Sequence, residues 1–323
     1  MLSELAFSAD DLALTRFAVS PMWEVVNSFR LLAADVPHPV HQPWLDQVRP
    51  RASSIGLDAG WLAELLPPES SYLPDFLTPF PAEPGPTLAA ELAAIRATPA
   101  GQVRADLDTL ASKATRPRTL WADPEKKLAK VTEEIEAYWD LAIAPYWARI
   151  KALLDADVFH RARQVAERGA AHLFNDLHST VSWDDNTLRL VRRQCALSRE
   201  ATGPGLLLVP SVFAKRVLTW SRPPSPPQLA YPARGTGALW ERRPAERAEA
   251  IAAVLGRFRT RLLTELDAPA STTELARRTG TSPAGVSQHL TALRDAGIVS
   301  AHRAGRSVLY ARTTIGESLL TVS

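Results

Sequence analysis

The spacing of hydrophobic residues follows a helical period through much of the first 180 positions. Apolar side chains recur every three or four residues in 11–33, 124–155 and 156–178, which predicts three amphipathic helices. Pro145 lies inside the second of these segments. It is expected to kink or split that helix, because proline lacks the backbone donor of a helix interior.

The period then changes to that of β-strands. Residues 187–193 alternate between polar and apolar side chains, and 205–213 form a short apolar run after Gly-Pro-Gly. We expect these runs to be two strands with a turn between them, joined by a third strand near 227–231. A small sheet is thus predicted to follow the helices.

A proline-rich stretch at 221–237 separates this region from the rest of the chain. Proline removes backbone donors and disfavours helix, so a linker or an extended crossing is expected there. A chain of 323 residues is also long enough for two or three domains. We therefore predict an α+β, mainly helical fold. A helical N-terminal domain with a small β-sheet would occupy 1–235, and a second domain would occupy 238–323.

Two short helices joined by a tight turn are predicted near the end of the chain. Ser271 and Glu274 have the spacing of a capping box, which starts a helix. Gly280 supplies the left-handed residue that ends this helix, and Ser282 followed by Pro283 starts the next one. This arrangement is typical of a helix-turn-helix.

The second helix, expected over about 282–295, has two contrasting faces. Its apolar stripe comprises Val286, Leu290 and Leu293. The opposite face carries short or amide-bearing side chains, which let a helix approach the floor of the major groove and bond base edges. The predicted DNA-contacting residues of this helix are Ser282, Ala284, Ser287, Gln288, His289 and Thr291. The simpler alternative is a helix-turn-helix used only for packing.

A basic hairpin is predicted directly after this helix. Two alternating runs over about 299–312 flank the sequence RAGR, which puts Arg303 and Arg306 at the tip and Arg312 on the returning strand. A hairpin with cations at its tip can hold DNA phosphates, as a wing does. The alternative is ordinary surface charge.

The stretch 272–311 resembles the winged helix-turn-helix of ArsR-type bacterial transcriptional regulators. The pattern S-x-H-L-x-x-L-x-x-A-G-[IV]-V, here 287–299, and the pattern R-x-G-R-x-x-x-Y, here 303–310, carry the resemblance. It implies a homodimer that binds a pseudo-palindromic operator and usually represses transcription. The longer chain is similar to large ArsR-type regulators whose N-terminal region has no assigned activity.

A long helix is predicted over 243–266, before the helix-turn-helix. Its apolar residues recur at spacings of three and four and extend beyond one stripe, so they can serve both a core and a second copy of the chain. The residues predicted to mediate dimerisation are Ile251, Leu255, Phe258 and Leu262. The alternative is that all of them belong to the core of their own domain. A short helix is expected over 314–323.

No metal and no cofactor are expected. Metal-sensing members of the family carry a cysteine motif on the first helix of the helix-turn-helix, where this chain has STTELA, and the last helix offers only Glu317. Soft or borderline cations need thiolate or imidazole clusters. His289 and His302 are therefore expected to be DNA-facing or structural.

The N-terminal region shows no recognisable catalytic constellation. His38 and His41 lie in a proline-flanked loop, His172 and Asp176 share a helix face as a capping or surface pair, and Cys195 is expected to be a buried, inert thiol. Aromatic residues near Pro145 can line one side of a helix, as in a small-molecule pocket, although such stripes usually belong to a core. The nine Trp residues of the chain keep both interpretations open.

Charge and composition favour a DNA-binding partner and a cytoplasmic location. From Glu241 onward the chain has 12 Lys and Arg against 8 Asp and Glu, whereas the preceding residues carry a net charge of −2. One cysteine fits a reducing compartment, and neither a signal peptide nor a membrane span is expected. The prediction is a non-enzymatic regulator, a repressor in the sense that the resemblance implies, which binds double-stranded DNA as a homodimer. The alternatives are a regulator that senses a small-molecule effector through its N-terminal domain and an enzyme with a DNA-binding tail.

Overall fold

The computed structural model describes residues 2–34, 36–68, 70, 72–111, 117–191, 198–199, 205–220, 225–240, 248–305 and 307–320. The α-helices are α1 (Ala9–Ala13), α2 (Pro21–Ala33), α3 (Gln42–Ser54), α4 (Trp61–Leu65), α5 (Leu88–Arg96), α6 (Ala100–Ala111), α7 (Arg118–Ala122), α8 (Pro124–Ala142), α9 (Trp147–Arg168), α10 (Ala170–Leu177), α11 (Ala248–Leu255), α12 (Arg257–Glu265), α13 (Thr272–Thr279), α14 (Pro283–Asp295) and α15 (Thr314–Leu320). The strands are β1 (Leu2–Ala6), β2 (Arg16–Phe17), β3 (Val181–Asp184), β4 (Thr187–Val191), β5 (Ser198–Arg199), β6 (Leu207–Ser211), β7 (Leu218–Trp220), β8 (Gln228–Pro232), β9 (Ala270–Ser271), β10 (Val299–Ala304) and β11 (Ser307–Arg312). The predicted fold class, α+β and mainly helical with a winged helix-turn-helix at the C-terminal end, is confirmed.

The chain forms two compact units that differ from a simple division in sequence. Unit 1 comprises 1–35, 59–133 and 153–234, and unit 2 comprises 36–58, 134–152 and 235–323. The predicted division into 1–235 and 238–323 places 36–58 and 134–152 with the N-terminal region, whereas these two segments pack with the C-terminal one. A shift in composition can mark a change between regions of the chain, but it cannot show that earlier segments return to the later unit.

Unit 1 contains two mixed four-stranded sheets. Their strand orders are β3-β4-β1-β5 and β2-β6-β8-β7. The strands predicted in 187–193 and 205–213 form, but they lie in different sheets instead of pairing across a turn, because β4 pairs with the N-terminal strand β1 and β6 with β2 and β8. The proline-rich stretch 221–237 contains β8, whose residues are largely buried, so this part of it is a sheet strand and not a linker.

Three of the predicted helices are interrupted, by a short strand, by a proline and by a glycine. The segment 11–33 is split by β2, and α2 starts anew at Pro21 with Ser20 as its N-cap. Pro145 splits the helix of 124–155 as predicted, with a 3-10 turn at Ala144–Tyr146 between α8 and α9. The helix predicted over 156–178 breaks at Gly169, which has a φ of 82°. Side-chain-bearing residues rarely adopt that conformation, so a glycine there ends α9.

Polar side chains of α2 are buried in the interior of unit 1. Glu24 is 0% exposed, and its Oε1 accepts a hydrogen bond from the backbone N–H of Val212 at 3.0 Å. Asn27 donates through Nδ2 to Ser211 Oγ at 3.0 Å. These groups join the helix to the end of β6 and the loop that follows it.

The core of unit 2 is built from the helix-turn-helix, the winged sheet and the two helices before them. The buried residues of this core are Ile251, Leu262, Leu263, Leu266, Ala270, Leu275, Ala276, Val286, Leu290, Leu293, Ile298, Val299, Tyr310 and Leu320. The sheet has the order β10-β11-β9. Instead of the single helix predicted over 243–266, α11 and α12 meet at Gly256, whose φ is 86°. The short helix expected over 314–323 is present as α15.

Among the described helices, none combines the length and the hydropathy that a membrane crossing needs.

Candidate nucleic-acid interface

The helix-turn-helix forms from the capping groups that the sequence predicts. Ser271 Oγ accepts from the backbone N–H of Glu274 at 3.2 Å, and the Glu274 carboxylate accepts from the N–H of Ser271 at 2.8 Å. Gly280 adopts the left-handed conformation at a φ of 70° and ends α13. Ser282 caps α14 by accepting from the N–H of Gly285 at 3.2 Å. The backbone N–H groups of a helix's first turn have no partner within the helix, and the serine side chains bind one of them in each helix. The starts of α13 and α14, and the turn between them, are thus set by residues close in sequence.

The two faces of α14 differ in burial as the sequence predicts. Val286 and Leu290 are 0% exposed and Leu293 is 2% exposed, so this stripe lies in the core of unit 2. The opposite face is exposed and comprises Ala284, Gln288 and Thr291. Up to its last turn, where the exposed Arg294 and Asp295 form an ion pair, the exposed face has no charge and no side chain longer than glutamine. It can therefore approach a double helix closely and form hydrogen bonds to base edges.

The flanking residues of α14 have mixed environments. Ser282 is exposed, and Ser287 and His289 are half-buried. The ring of His289 lies 4.9 Å from that of Phe258 on α12, at an interplanar angle of 57°. His289 therefore packs within its own unit, and its predicted contact with DNA would use only the edge that remains exposed.

The predicted wing is the hairpin of β10 and β11. Its antiparallel register pairs Val299 with Arg312, Ala301 with Tyr310 and Arg303 with Val308. Residues that pair directly lie on the same face of a sheet, so Arg303 lies on the face that carries Val299 and Tyr310 into the core. Arg303 lies beyond that core and is exposed. Arg306, the second cation predicted at the tip, lies outside the described residues.

The other face of the winged sheet is covered within unit 2. Leu309 and Ala311 are 2% and 3% exposed, and both β10 and β11 contact the 3-10 turn Ala144–Tyr146. At the hairpin tip, an added Cβ on Gly305 would lie 3.5 Å from Cγ2 of Ile55. The segments 36–58 and 134–152 therefore cover the back of the wing, whereas Arg303, at the outer end of the opposite face, is exposed.

Arg312 is part of the internal framework of unit 2 and not of its surface. Its guanidinium donates to the carbonyl oxygen of Leu263 at 2.7 Å and to that of Thr264 at 3.0 Å. It also lies 3.3 Å from Glu317 Oε2. The side chain fastens the returning strand of the wing to the C-terminal end of α12. Burial lowers the pKa of this arginine, and Glu317 opposes the shift.

The residues predicted to mediate dimerisation lie mostly within unit 2 itself. Leu262 is 0% exposed and Ile251 is 8% exposed in the core, and Leu255 and Phe258 pack against that core while partly exposed. Ile251 and Leu262 therefore belong to the core of their own unit, and the contact of this stripe with a second copy of the chain stays a prediction. Val254 on α11 is instead 83% exposed.

The titratable residues considered in the N-terminal region have structural environments. His38 Nδ1 accepts the backbone N–H of His41 at 3.2 Å, and His41 Nδ1 accepts Trp240 Nε1 at 3.0 Å. His172 Nε2 lies 3.3 Å from Arg168, whereas Asp176 bonds Arg161. Within the described ranges, no group of three or more His, Cys, Asp and Glu side chains is placed to hold a metal ion. Cys195 lies outside the described residues.

Comparison with known proteins supports the helix-turn-helix. Residues 259–300 match the family described as a helix-turn-helix domain, which spans α12, α13, α14 and the start of β10. No curated protein and no solved structure matches the chain. The match supports a DNA-binding helix-turn-helix regulator and does not distinguish the ArsR type from other types.

Proposed function

We propose that this chain is a transcriptional regulator of the ArsR type that binds duplex operator DNA as a homodimer and represses transcription. In this proposal α14 enters the major groove with Gln288 and Thr291 toward base edges. Ser282, at the helix N-terminus, and Ser287 would contact phosphates or bases. The wing would lie along the adjacent backbone. Such a regulator would work in the cytoplasm, without catalytic activity and without a cofactor.

The exposed face of α14 is the observation that carries the proposal. Exposed helix faces usually carry Lys and Glu, whereas Ala284, Gln288 and Thr291 offer close approach and amide or hydroxyl groups. A helix-turn-helix used only for packing would have no need for this composition opposite a complete core stripe. The helix-turn-helix match over 259–300 supports the same conclusion.

Arg303 supplies the charge that this interface needs. DNA binding gains much of its free energy from cations placed against phosphates, which release bound counterions. Arg303 is exposed on the wing, next to the helix that would enter the groove. Arg306 is the second cation that the proposal assigns to the phosphates.

The homodimer rests on the resemblance and on exposed apolar side chains near the ends of the domain. Val254 on α11 is 83% exposed and Ile315 on α15 is 57% exposed, and these two helices are in contact. Both side chains are exposed apolar groups outside the core of unit 2. Burying them against a second copy would present two α14 helices with twofold symmetry, as a pseudo-palindromic operator requires.

The test is selection of duplexes from a random library by the full-length protein, followed by gel shifts at several salt concentrations. Gln288→Ala is expected to weaken binding to the selected site by about 1–3 kcal/mol and to leave binding to unrelated duplex nearly unchanged. Arg303→Gln is expected to weaken binding to all duplexes and to flatten the salt dependence by about one ion for each phosphate that is no longer neutralised.

Arg163→Gln is the matched control for the wing. Arg163 lies on α9 in unit 1 with its side chain 67% exposed, and its replacement removes the same charge far along the chain from the wing. If Arg163→Gln weakens binding as much as Arg303→Gln, the attraction is that of overall charge and the wing has no special role. If no duplex is selected above background, the proposed function is wrong.

A further inference from the structure

A cavity of about 280 Å³ lies inside unit 2, behind the winged helix-turn-helix. Its walls come from the N-terminal half of α3, the 3-10 turn Ala144–Tyr146 with the start of α9, and the base of the wing with α15. It therefore lies between the C-terminal region and the two segments that return from earlier in the chain, and it is partly open to solvent. Its volume is near the lower end of the range for small-molecule sites, which is about 300 Å³.

One part of the cavity wall is cationic. Arg149 donates through Nη1 to the carbonyl oxygen of Leu239 at 3.1 Å, and its Nη2 lies 3.5 Å from Glu317 Oε1. Glu317 is shared, because its Oε2 lies 3.3 Å from Arg312. The distance from Arg149 to Glu317 is long for a charge-assisted hydrogen bond, which is usually about 2.7–2.9 Å. Arg149 is thus held by a carbonyl oxygen and a carboxylate, and it is the cation of this part of the wall.

The charged side chains that line the cavity carry a net positive charge, which favours the binding of one anion. The lining contains Arg149, Arg278 and Arg312 against Asp267 and Glu317. Among the described lining residues this leaves one positive charge in excess. The side chains of Arg149 and Glu317 are 12% and 19% exposed, so an anion bound there would be largely withdrawn from water and from screening by salt.

Another part of the wall is apolar. The rings of Tyr146 and Trp240 meet edge to face with centroids 5.5 Å apart. The Tyr146 hydroxyl donates to Gln47 Oε1 at 3.1 Å, so its polar end is already bonded. Pro43 and Pro145 extend the apolar surface. This part of the wall can contact a planar hydrocarbon body.

We propose that this cavity binds a small organic monocarboxylate with a flat apolar body, through its carboxylate on Arg149 and its ring against Tyr146 and Trp240. The ligand would touch 36–58, 134–152 and the base of the wing at once. Arg312, which fastens the wing to α12, lies in the same wall. A role of the ligand as an effector of DNA binding rests on the proposed function, whereas binding itself does not.

Titration calorimetry on the full-length protein without DNA tests the site, with benzoate as the probe and benzamide as the neutral control of the same shape. Benzoate is expected to bind with a dissociation constant of about 1 mM or lower, as a ligand of so few atoms can. Benzamide is expected to bind at least tenfold more weakly, since it lacks the charge that Arg149 recognises. Equal binding of the two, or no binding of benzoate, overturns the proposal.

Substitutions of residues that line the cavity test whether benzoate binds there. Arg149→Gln is expected to weaken benzoate binding at least tenfold, and Arg163→Gln, with the same loss of charge on the surface of unit 1, is expected to leave it unchanged. Ala268→Leu fills the cavity from a different wall residue and is expected to abolish binding, which decides the case if Arg149→Gln does not fold. Unchanged benzoate affinity in a folded Arg149→Gln protein, or in Ala268→Leu, overturns the proposal.

Gel shifts with the same protein preparations separate this inference from the proposed function. Benzoate binding by a protein that selects no duplex would leave the site in place and refute the regulator. DNA binding by a protein that does not bind benzoate would support the regulator and refute the ligand site.

Discussion

Helices α2 and α14 have the same local design and opposite surroundings. Each has 13 residues, a serine N-cap and a proline in its first turn. In α14 one stripe is buried and the face opposite it is exposed, whereas α2 is buried on almost all sides, including Glu24 and Asn27. The capping residues therefore fix where a helix starts, but the surrounding structure decides which of its polar groups meet water.

The difference lies in where the polar partners come from. In α14 the cap at Ser282 bonds Gly285 three residues away. In α2 the partner of Glu24 is Val212, and Trp23 donates through Nε1 to Gln228 Oε1 at 3.2 Å. Partners nearly 200 residues apart leave no periodic pattern in the sequence. The exposed polar face of α14 thus belongs to a surface, and the polar residues of α2 belong to an interior network.

The largest expected effect is a difference in stability between substitutions on the buried and on the exposed face of α14. Leu290→Ala removes a side chain that is 0% exposed and is expected to lower the free energy of unfolding by about 3 kcal/mol, through reduced burial and the cavity left behind. The neighbouring Thr291→Ala changes an exposed side chain and is expected to change it by less than about 0.5 kcal/mol. Denaturant unfolding followed by circular dichroism measures both. Similar losses for the two variants would mean that the exposed face is needed for folding.

The interface was predictable from the sequence to the extent that it is local. The caps at Ser271 and Ser282, the glycine turn and the two faces of α14 depend on residues within a few positions of one another, and all are found in the structure. The break at Gly256 has a local cause too, but the apolar period continues across it and masks it. The return of 36–58 and 134–152 to unit 2, the strand pairing of β1 with β4 and the burial of Glu24 depend on distant partners. A single sequence carries no periodicity for these.

The next effect is a pH dependence of stability that arises from Glu24, the buried carboxyl of α2. Burial raises the pKa of Glu24 to about 8, although hydrogen bonds from Ser211, Val212 and Phe213 oppose the shift. A carboxyl whose pKa is higher in the folded protein binds its proton more tightly there. Its contribution to stability is therefore complete below about pH 4.5 and is lost as the pH rises toward 8. Each pH unit in that window costs up to about 1.4 kcal/mol.

Glu24→Gln keeps the shape of the side chain and removes the proton equilibrium. We expect the variant to lose less stability than the unmodified protein between pH 5 and about 8 in a series of unfolding titrations. Part of the slope would remain, because burial also raises the pKa of Glu91 to about 7. Glu133→Gln, on a side chain 60% exposed, is the matched control and should leave the slope as it is. An unchanged slope in Glu24→Gln would show that this carboxyl reaches water.

The two serine caps allow a direct comparison of the helices. Ser282→Ala removes one capping bond and is expected to cost about 1 kcal/mol. Ser20→Ala removes the bond to the N–H of Trp23 and also the hydroxyl that donates to the buried Glu91 carboxylate, so a loss nearer 2 kcal/mol is expected. Thermal unfolding of the two variants measures the difference. Equal losses would mean that the bond to Glu91 adds nothing to the cap.

The smallest expected effect comes from His302, on the covered face of the wing, and it has the opposite sign to that of Glu24. Burial lowers the pKa of this histidine below its usual 6.5, and its Nε2 lies 2.7 Å from Ser300 Oγ. Below pH 6.5 the imidazole therefore binds a proton more readily in the unfolded chain than in the folded one. The contribution of His302 to stability is complete above pH 6.5 and falls as the pH drops below it. His302→Gln, which cannot take up that proton, should flatten this acid limb by less than about 1 kcal/mol, because the side chain is only half-buried. Unfolding titrations between pH 5 and 7 would compare it with His172→Gln on α10, a variant that keeps His302 and should therefore keep the acid limb. If His302→Gln keeps the acid limb, the back of the wing is open to solvent, and its cover by 36–58 and 134–152 is looser than the burial of Leu309 and Ala311 indicates.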